Sequence, residues 1–142
     1  MFIDASVVVA ILTREPGYEE IRKALGKISD TLYVSPLVRF EASLALARQK
    51  AVSSGRQIKL SPEMLRQAAE VVDAFLEVLG AQEIEISPEI GRGALEASAR
   101  YSKAVGHKAD LNFGDCFAYA CAKALNVGLL YKGNDFAETD IA

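Results

Sequence analysis

Met1-Phe2-Ile3-Asp4-Ala5-Ser6-Val7-Val8-Val9-Ala10-Ile11-Leu12 decides the fold. Phe2-Ile3 is a short apolar run that stops at an acid. It reads as a buried strand with Asp4 at its C-terminal end. Ser6 then offers an N-cap for an apolar helix over Val7–Leu12. A strand that gives way at once to a helix is the opening of an alternating α/β chain.

The rest of the chain repeats that alternation. Pro16-Gly17 breaks the first helix, and Tyr18–Ile28 has the pattern of an amphipathic helix. Thr31–Val34 is β-branched and aromatic, which makes it a second strand. Three helix starts share one pair of residues: Ser35-Pro36, Ser61-Pro62 and Ser87-Pro88. Each places a hydroxyl at the N-cap and proline at the first helical position, where a missing N–H costs nothing. The helices they open are predicted over Leu37–Lys50, Glu63–Leu79 and Glu89–Ser102, with Gly80 as a C-terminal stop. Gln82–Ile86 alternates and is a third strand. Ser53–Lys59, holding Gly55, is a polar surface connection, and Lys103–Asn112 a second polar loop. Gly114–Leu125 is apolar nearly all round, so it is predicted as a central buried helix. Gly128–Tyr131 is the fourth strand, Gly133-Asn134 a turn, and Asp140-Ile141 a short edge strand.

The predicted order β-α-α-β-α-α-β-α-α-β implies one α/β domain over residues 1–142. Its centre is a mostly parallel sheet of four to five strands, flanked by helices in three layers. At 142 residues, 51% hydrophobic, the chain should bury roughly 68–70% of its unfolded surface without disulfides or a structural metal. Cys116 and Cys121 are five apart, so on a helix they face different ways and cannot pair. They read as buried thiols in a reducing compartment. The start carries no basic, apolar leader, and apolar runs such as Cys116–Ala122 are too short to span a bilayer. The expected protein is soluble and cytoplasmic, with no membrane partner. A net charge of −3 argues against blind coating of nucleic acid by a basic surface. It leaves a nuclease open, because bound cations reverse the sign of an acidic site locally.

Most of the 19 acids fall on helix faces turned to water; four do not. Asp4 ends a buried strand, where open α/β sheets keep their ligand crevice, though it could equally cap the next helix. Glu41 has Leu37, Leu44 and Ala45 as helical neighbours, a costly place for a charge unless Arg48 pairs with it or it reaches solvent. Asp115 opens the apolar helix, where the dipole alone would favour an acid; Asn112 and Gly114 before it point to a tight backbone approach. Asp135 follows a strand and a glycine turn, which is ordinary turn chemistry by itself. Four carboxylates at one sheet edge would repel, and a hard divalent cation such as Mg²⁺ or Mn²⁺ relieves this with oxygen ligands alone.

Met1-Phe2-Ile3-Asp4-Ala5-Ser6, Val38-Arg39-Phe40-Glu41, Leu111-Asn112-Phe113-Gly114-Asp115-Cys116-Phe117-Ala118-Tyr119-Ala120 and Leu130-Tyr131-Lys132-Gly133-Asn134-Asp135-Phe136 resemble the motifs of PIN-domain ribonucleases. The resemblance is to the VapC-type toxins of type II toxin–antitoxin pairs and covers nearly the whole chain. It implies an endoribonuclease that uses Mg²⁺ or Mn²⁺ to cleave RNA, tRNA among the candidates, leaving a 5′-phosphate. It implies Asp4, Glu41, Asp115 and Asp135 as the catalytic and metal-holding acids. Ser6 and Asn112 would be polar groups that orient the acids or the substrate. A homodimer and an inhibiting cognate antitoxin are the implied protein partners.

Two other readings compete. A non-catalytic PIN-like interaction module would be expected to have lost acids. A phosphoacceptor signalling domain needs an aspartate at the end of a middle strand, where this chain has Ser87-Pro88. Arg14, Arg39, Arg48, Lys108 and Lys132 are candidate phosphate contacts or plain surface charges. His107, the single histidine, is a candidate proton shuttle or an idle loop residue.

Overall fold

A computed structural model of the chain describes residues 1–55 and 59–141. Its elements are β1 (Phe2–Ile3), α1 (Ala5–Thr13), α2 (Tyr18–Lys27), β2 (Tyr33–Val34), α3 (Pro36–Ser53), α4 (Pro62–Leu79), β3 (Gln82–Glu83), α5 (Pro88–Tyr101), a 3₁₀ turn (Lys103–Val105), α6 (Phe113–Leu125) and β4 (Leu129–Leu130). The order of strands and helices is the predicted one.

The sheet is parallel throughout, in the order β3-β2-β1-β4. Phe2 stands opposite Tyr33 on one side and Leu129 on the other. Phe2 and Ile3 point to opposite faces of the pleat, and both are fully buried; helices therefore cover the sheet on both sides. From β1 the chain steps outward to β2 and β3, then crosses back to β4. The sheet therefore has its topological switch point between β1 and β4, where an α/β crevice opens at the carboxyl ends of the strands.

Local chemistry explains the helix starts. Ser35, Ser61 and Ser87 each accept a hydrogen bond from the backbone N–H three residues on, at 3.3, 3.1 and 3.1 Å. Gly80 ends α4 in the left-handed region, with φ 65°. In α6 the buried residues include Gly114, Asp115, Cys116 and the run from Ala118 to Ala122; Cys116 and Cys121 are both free thiols. Burial raises both thiols, Cys121 to about 11.

Three expectations are corrected. Asp4, not Ser6, caps α1: its side chain accepts from the Ser6 N–H, so the helix starts at Ala5. Asp140-Ile141 is a turn, not an edge strand, and the described sheet has four strands. Asp140 is held instead by side chains, taking hydrogen bonds from the Tyr119 hydroxyl at 2.5 Å and Lys123 at 3.3 Å. The predicted loop Lys103–Asn112 contains the 3₁₀ turn and a parallel bridge between Ser102 and Leu111, with Ala109 and Leu111 buried. The connection Ser53–Lys59 falls partly outside the described residues, at 56–58. Among the described residues no helix is long and apolar enough to cross a membrane.

Candidate active site

At the switch point a cleft of about 390 Å³ is lined by Asp4, Ser6, Glu15, Glu41, Asn112, Asp115, Lys132, Gly133 and Asp135, among others. The fold thus brings all four predicted acids, and both predicted polar helpers, to one place. They come from four separate segments: the end of β1, the second turn of α3, the first turn of α6 and the loop after β4.

Asp4 is 6% exposed and Asp115 8% exposed; Glu41 is half-buried and Asp135 is exposed. Asp4 takes both of its side-chain hydrogen bonds on Oδ2, from the Ser6 N–H at 2.9 Å and the Ser6 hydroxyl at 2.5 Å. The Ser6 hydroxyl oxygen in turn accepts the Lys132 N–H at 3.0 Å. Ser6 therefore ties the end of β1 to the chain leaving β4, and with it Asp4 to the loop that carries Asp135.

Asp115 is fixed by a capping box. The Asn112 N–H donates to Asp115 Oδ2 at 2.9 Å, and the Asp115 N–H donates to Asn112 Oδ1 at 3.0 Å. The structural role that the sequence offered for Asp4 and for Asp115 is real in both cases, and each carboxyl also lines the cleft. The helix caps and the cleft wall here share the same side chains.

Gly114 shows how closely the elements approach. A Cβ at this position would overlap the Glu41 carboxylate. Only a bare backbone lets α3 bring Glu41 against the start of α6, the tight approach that Gly114 foreshadowed. Among the described ion pairs none involves Glu41, so the pairing with Arg48 does not form.

Burial dominates the electrostatics. It raises the Glu41 carboxyl to about 7, with the charges of Asp4 and Asp115 adding to the effect. It raises Asp115 to about 6 against the opposing Asn112 N–H, with Asp4 and Asp135 pushing the same way. Asp4 is also raised by burial, despite the hydrogen bonds from Ser6. Three carboxyls all shifted upward in one cleft mark a site short of positive charge.

The acids line the cleft without closing into a cage: among the described residues no three histidine, cysteine or acidic side chains stand ready to enclose an ion. The donor set nonetheless fits a hard divalent cation. It is all oxygen, it is anionic, and its members repel one another. The cradle at Gly114 keeps the Glu41 carboxyl in the cleft rather than beside it.

Other candidates fall elsewhere or take different roles. Lys132 is paired with Glu15 at the cleft wall. Glu15 lines the cleft unforeseen; an acid between a helix end and Pro16 carries no signal beyond that of a polar turn. Arg39 turns away to Asp73 and Glu83. Arg14 ends α1 in the left-handed region, with φ 53°. His107 does not line the cleft. Its Nδ1 accepts the Ala109 N–H at 3.1 Å and its ring packs edge-on against Tyr101, which is a loop-shaping role.

Known proteins resemble this chain in sequence and fold. The PIN domain pattern matches residues 1–142. A VapC ribonuclease of Rhizobium meliloti (strain 1021) is 49% identical over 140 residues, covering 99% of this chain and 98% of that protein. Ribonuclease VapC30 of Mycobacterium tuberculosis is 32% identical over 142 residues, covering 100% of this chain and 96% of that protein. Among solved structures, Mycobacterium tuberculosis VapC20, a sarcin–ricin loop cleaving toxin, shares the fold with a TM-score of 0.74 at 13% identity, over 99% of this chain and 95% of that one. A toxin–antitoxin complex from Klebsiella pneumoniae holds a chain that matches with a TM-score of 0.62 at 15% identity, over 98% of this chain and 92% of that one. With its full length matched and its four acids gathered at one switch point, the chain belongs to the PIN-domain family, among the VapC ribonucleases.

Proposed function

We propose that this chain is a divalent-metal-dependent endoribonuclease, acting as the toxin of a toxin–antitoxin pair. The observation that carries the reading is the convergence of Asp4, Glu41, Asp115 and Asp135 on one cleft from segments far apart in sequence. Capping explains Asp4 and Asp115 singly; it does not explain why Glu41 and Asp135 meet them.

The four carboxylates would hold Mg²⁺ or Mn²⁺. Bound there, the cation supplies Lewis acidity toward a phosphodiester and lowers the pKa of an attacking water. The chain's own residues do the rest. Asp4 and Asp115 are held still by Ser6 and Asn112, so the anionic wall is preorganised rather than assembled on binding. Ser6 and Asn112 are positioning residues. Lys132, already neutralised by Glu15, is a poor phosphate clamp while that pair persists. In this reading the substrate is RNA, and the protein partners are a cognate antitoxin that covers the acidic cleft and a second copy of the chain. Its compartment is the cytoplasm.

The test is cleavage of a mixed tRNA and loop-RNA pool by the purified chain, with Mg²⁺ or Mn²⁺ and with EDTA. Asp115→Asn serves as the control. An asparagine oxygen can still accept from the Asn112 N–H, so the fold should persist while cleavage vanishes. Cleavage at the wild-type rate by this variant, in antitoxin-free protein, would overturn the site assignment. No cleavage by the wild type would favour the interaction-module reading.

A further inference from the structure

RNA is an anion, and the acidic cleft meets it with almost no positive charge. The carboxyls of Asp4, Glu15, Glu41, Asp115 and Asp135 line the cleft, and of the described residues there Lys132 alone carries a cation. The other basic residues that the sequence offered as phosphate contacts, Arg14, Arg39, Arg48 and Lys108, are not among its lining residues. Lys132 Nζ is paired with Glu15. Among the described ion pairs it meets no other acid, although Asp4, Glu41, Asp115 and Asp135 line the same cleft.

Two observations separate that pair from the framework of the cleft. The side chains of Lys132 and Glu15 are 30% and 31% exposed, and an ion pair so open to water adds little to stability. The main chain at both residues is also held without it. β4 is joined to β1, with the Asp4 N–H donating to the Leu130 carbonyl at 3.0 Å, and the Lys132 N–H donates to the Ser6 hydroxyl oxygen at 3.0 Å. The Glu15 N–H donates to the Ala10 carbonyl at 3.0 Å, and the Glu15 carbonyl accepts the Tyr18 N–H at 2.9 Å. What remains movable is an ammonium on a flexible four-carbon stem, rooted on a fixed base beside the acids.

We propose that Lys132 is the phosphate contact of the cleft. On RNA binding its ammonium leaves Glu15 for a phosphate oxygen of the substrate; in the free protein Glu15 keeps that ammonium off the four acids that would hold the metal. The inference rests on the ribonuclease reading above and names how an acidic cleft takes an anion. The exchange moves no backbone and no proton: one charge-assisted hydrogen bond to oxygen replaces another. Glu15 matters because an ammonium left loose among Asp4, Glu41, Asp115 and Asp135 would neutralise the charge that draws a divalent cation.

The experiment uses the full chain and an RNA that the wild type cuts. Binding is read by fluorescence anisotropy in Mg²⁺ across a series of salt concentrations, with Asp115→Asn as the parent that holds this RNA without cleaving it. Lys132→Gln in that parent should lower the slope of log affinity against log salt by about 0.7, one phosphate contact on a single strand, or about 5-fold in affinity at roughly 0.1 M salt. Lys132→Arg should keep the slope of the parent. Glu15→Gln removes the competitor for the ammonium, so it should bind RNA more tightly with the slope kept. A strut of the cleft wall would behave otherwise, since losing either partner would weaken binding alike. An unchanged slope in Lys132→Gln, or a Glu15→Gln chain that binds no more tightly than the parent, would overturn the proposal. Should Lys132→Gln not fold, Glu15→Gln decides by itself. If the wild type cuts no RNA, the ribonuclease reading fails and takes this one with it. If it cuts and Lys132→Gln binds like the parent at every salt concentration, the Lys132 assignment fails alone.

Discussion

Glu41→Gln removes one charge from the cleft and keeps the shape that the Gly114 cradle accepts. Its effect on the metal-free protein can be worked out. The Glu41 carboxyl rises from its ordinary 4.5 to about 7, and at about 1.4 kcal/mol per pH unit this corresponds to about 3 kcal/mol. The sign follows from proton counts. Between pH 4.5 and 7 the folded wild type holds a proton on Glu41 that the unfolded chain has released. Raising the pH through this window therefore costs the folded state, and above 7 the whole penalty is present. Glutamine carries no such penalty. Part of the relief is shared with Asp4 and Asp115, whose charges act on Glu41, so a gain of about 2–3 kcal/mol is expected at pH 8, or roughly 6–12 °C in melting temperature. Near pH 4.5 the two proteins should melt together. The assay is calorimetry in EDTA from pH 4.5 to 8, and Mg²⁺ at pH 8 should then stabilise the wild type more than the variant. A difference that does not grow with pH, or a variant less stable at pH 8, would refute the crowded-carboxylate reasoning.

Gly114→Ala forces a methyl into the Glu41 carboxylate; cleavage should collapse and stability fall by about 1–3 kcal/mol, whereas adding Glu41→Ala should restore the melting temperature but not the activity. Asn112→Ala removes the side-chain half of the capping box, so it should cost about 1 kcal/mol in urea denaturation; the residue-112 N–H still holds the Asp115 carboxyl, so kcat should fall far less than in Asp115→Asn. Tyr119→Phe deletes the hydroxyl that holds Asp140. A loss of about 1 kcal/mol and faster proteolysis after Phe136 are expected, with RNA cleavage unaltered.

The sequence carried the strand–helix alternation and the helix starts well, because serine before proline specifies a cap by local chemistry that tertiary contacts do not override. Taken singly, Asp4 and Asp115 stood evenly between bland and functional roles, and Glu41 and Asp135 leaned to the bland one. Asp4 and Asp115 both cap a helix and line the cleft, which is why neither reading could displace the other. Glu15 was not legible, because its place in the cleft depends on Lys132, 117 residues away. Leu111 and Ala109 were hidden in a polar stretch, since the bridge from Ser102 buries them without any helical or strand period. Asp140-Ile141 imitated a strand because two residues cannot show a period at all. Phe113 stood inside the most informative block, yet nothing local says that the first residue of a buried helix points its ring at solvent.

The clamp from Lys132 through Ser6 to Asp4 has a consequence for how the protein comes into being. A growing chain makes Asp4 long before Lys132, whose N–H completes the lock through Ser6. Until β4 docks against β1, the central strand has one bare edge and Asp135 is not yet opposite Asp4. A nascent chain that has not yet reached Asp135 owns no complete acidic cleft, so the ribosome works beside a harmless polypeptide until that segment has been made and docked. Cutting power would then arrive in a single late step, which leaves the least time between birth of the activity and its capture by an inhibitor waiting in the same cell.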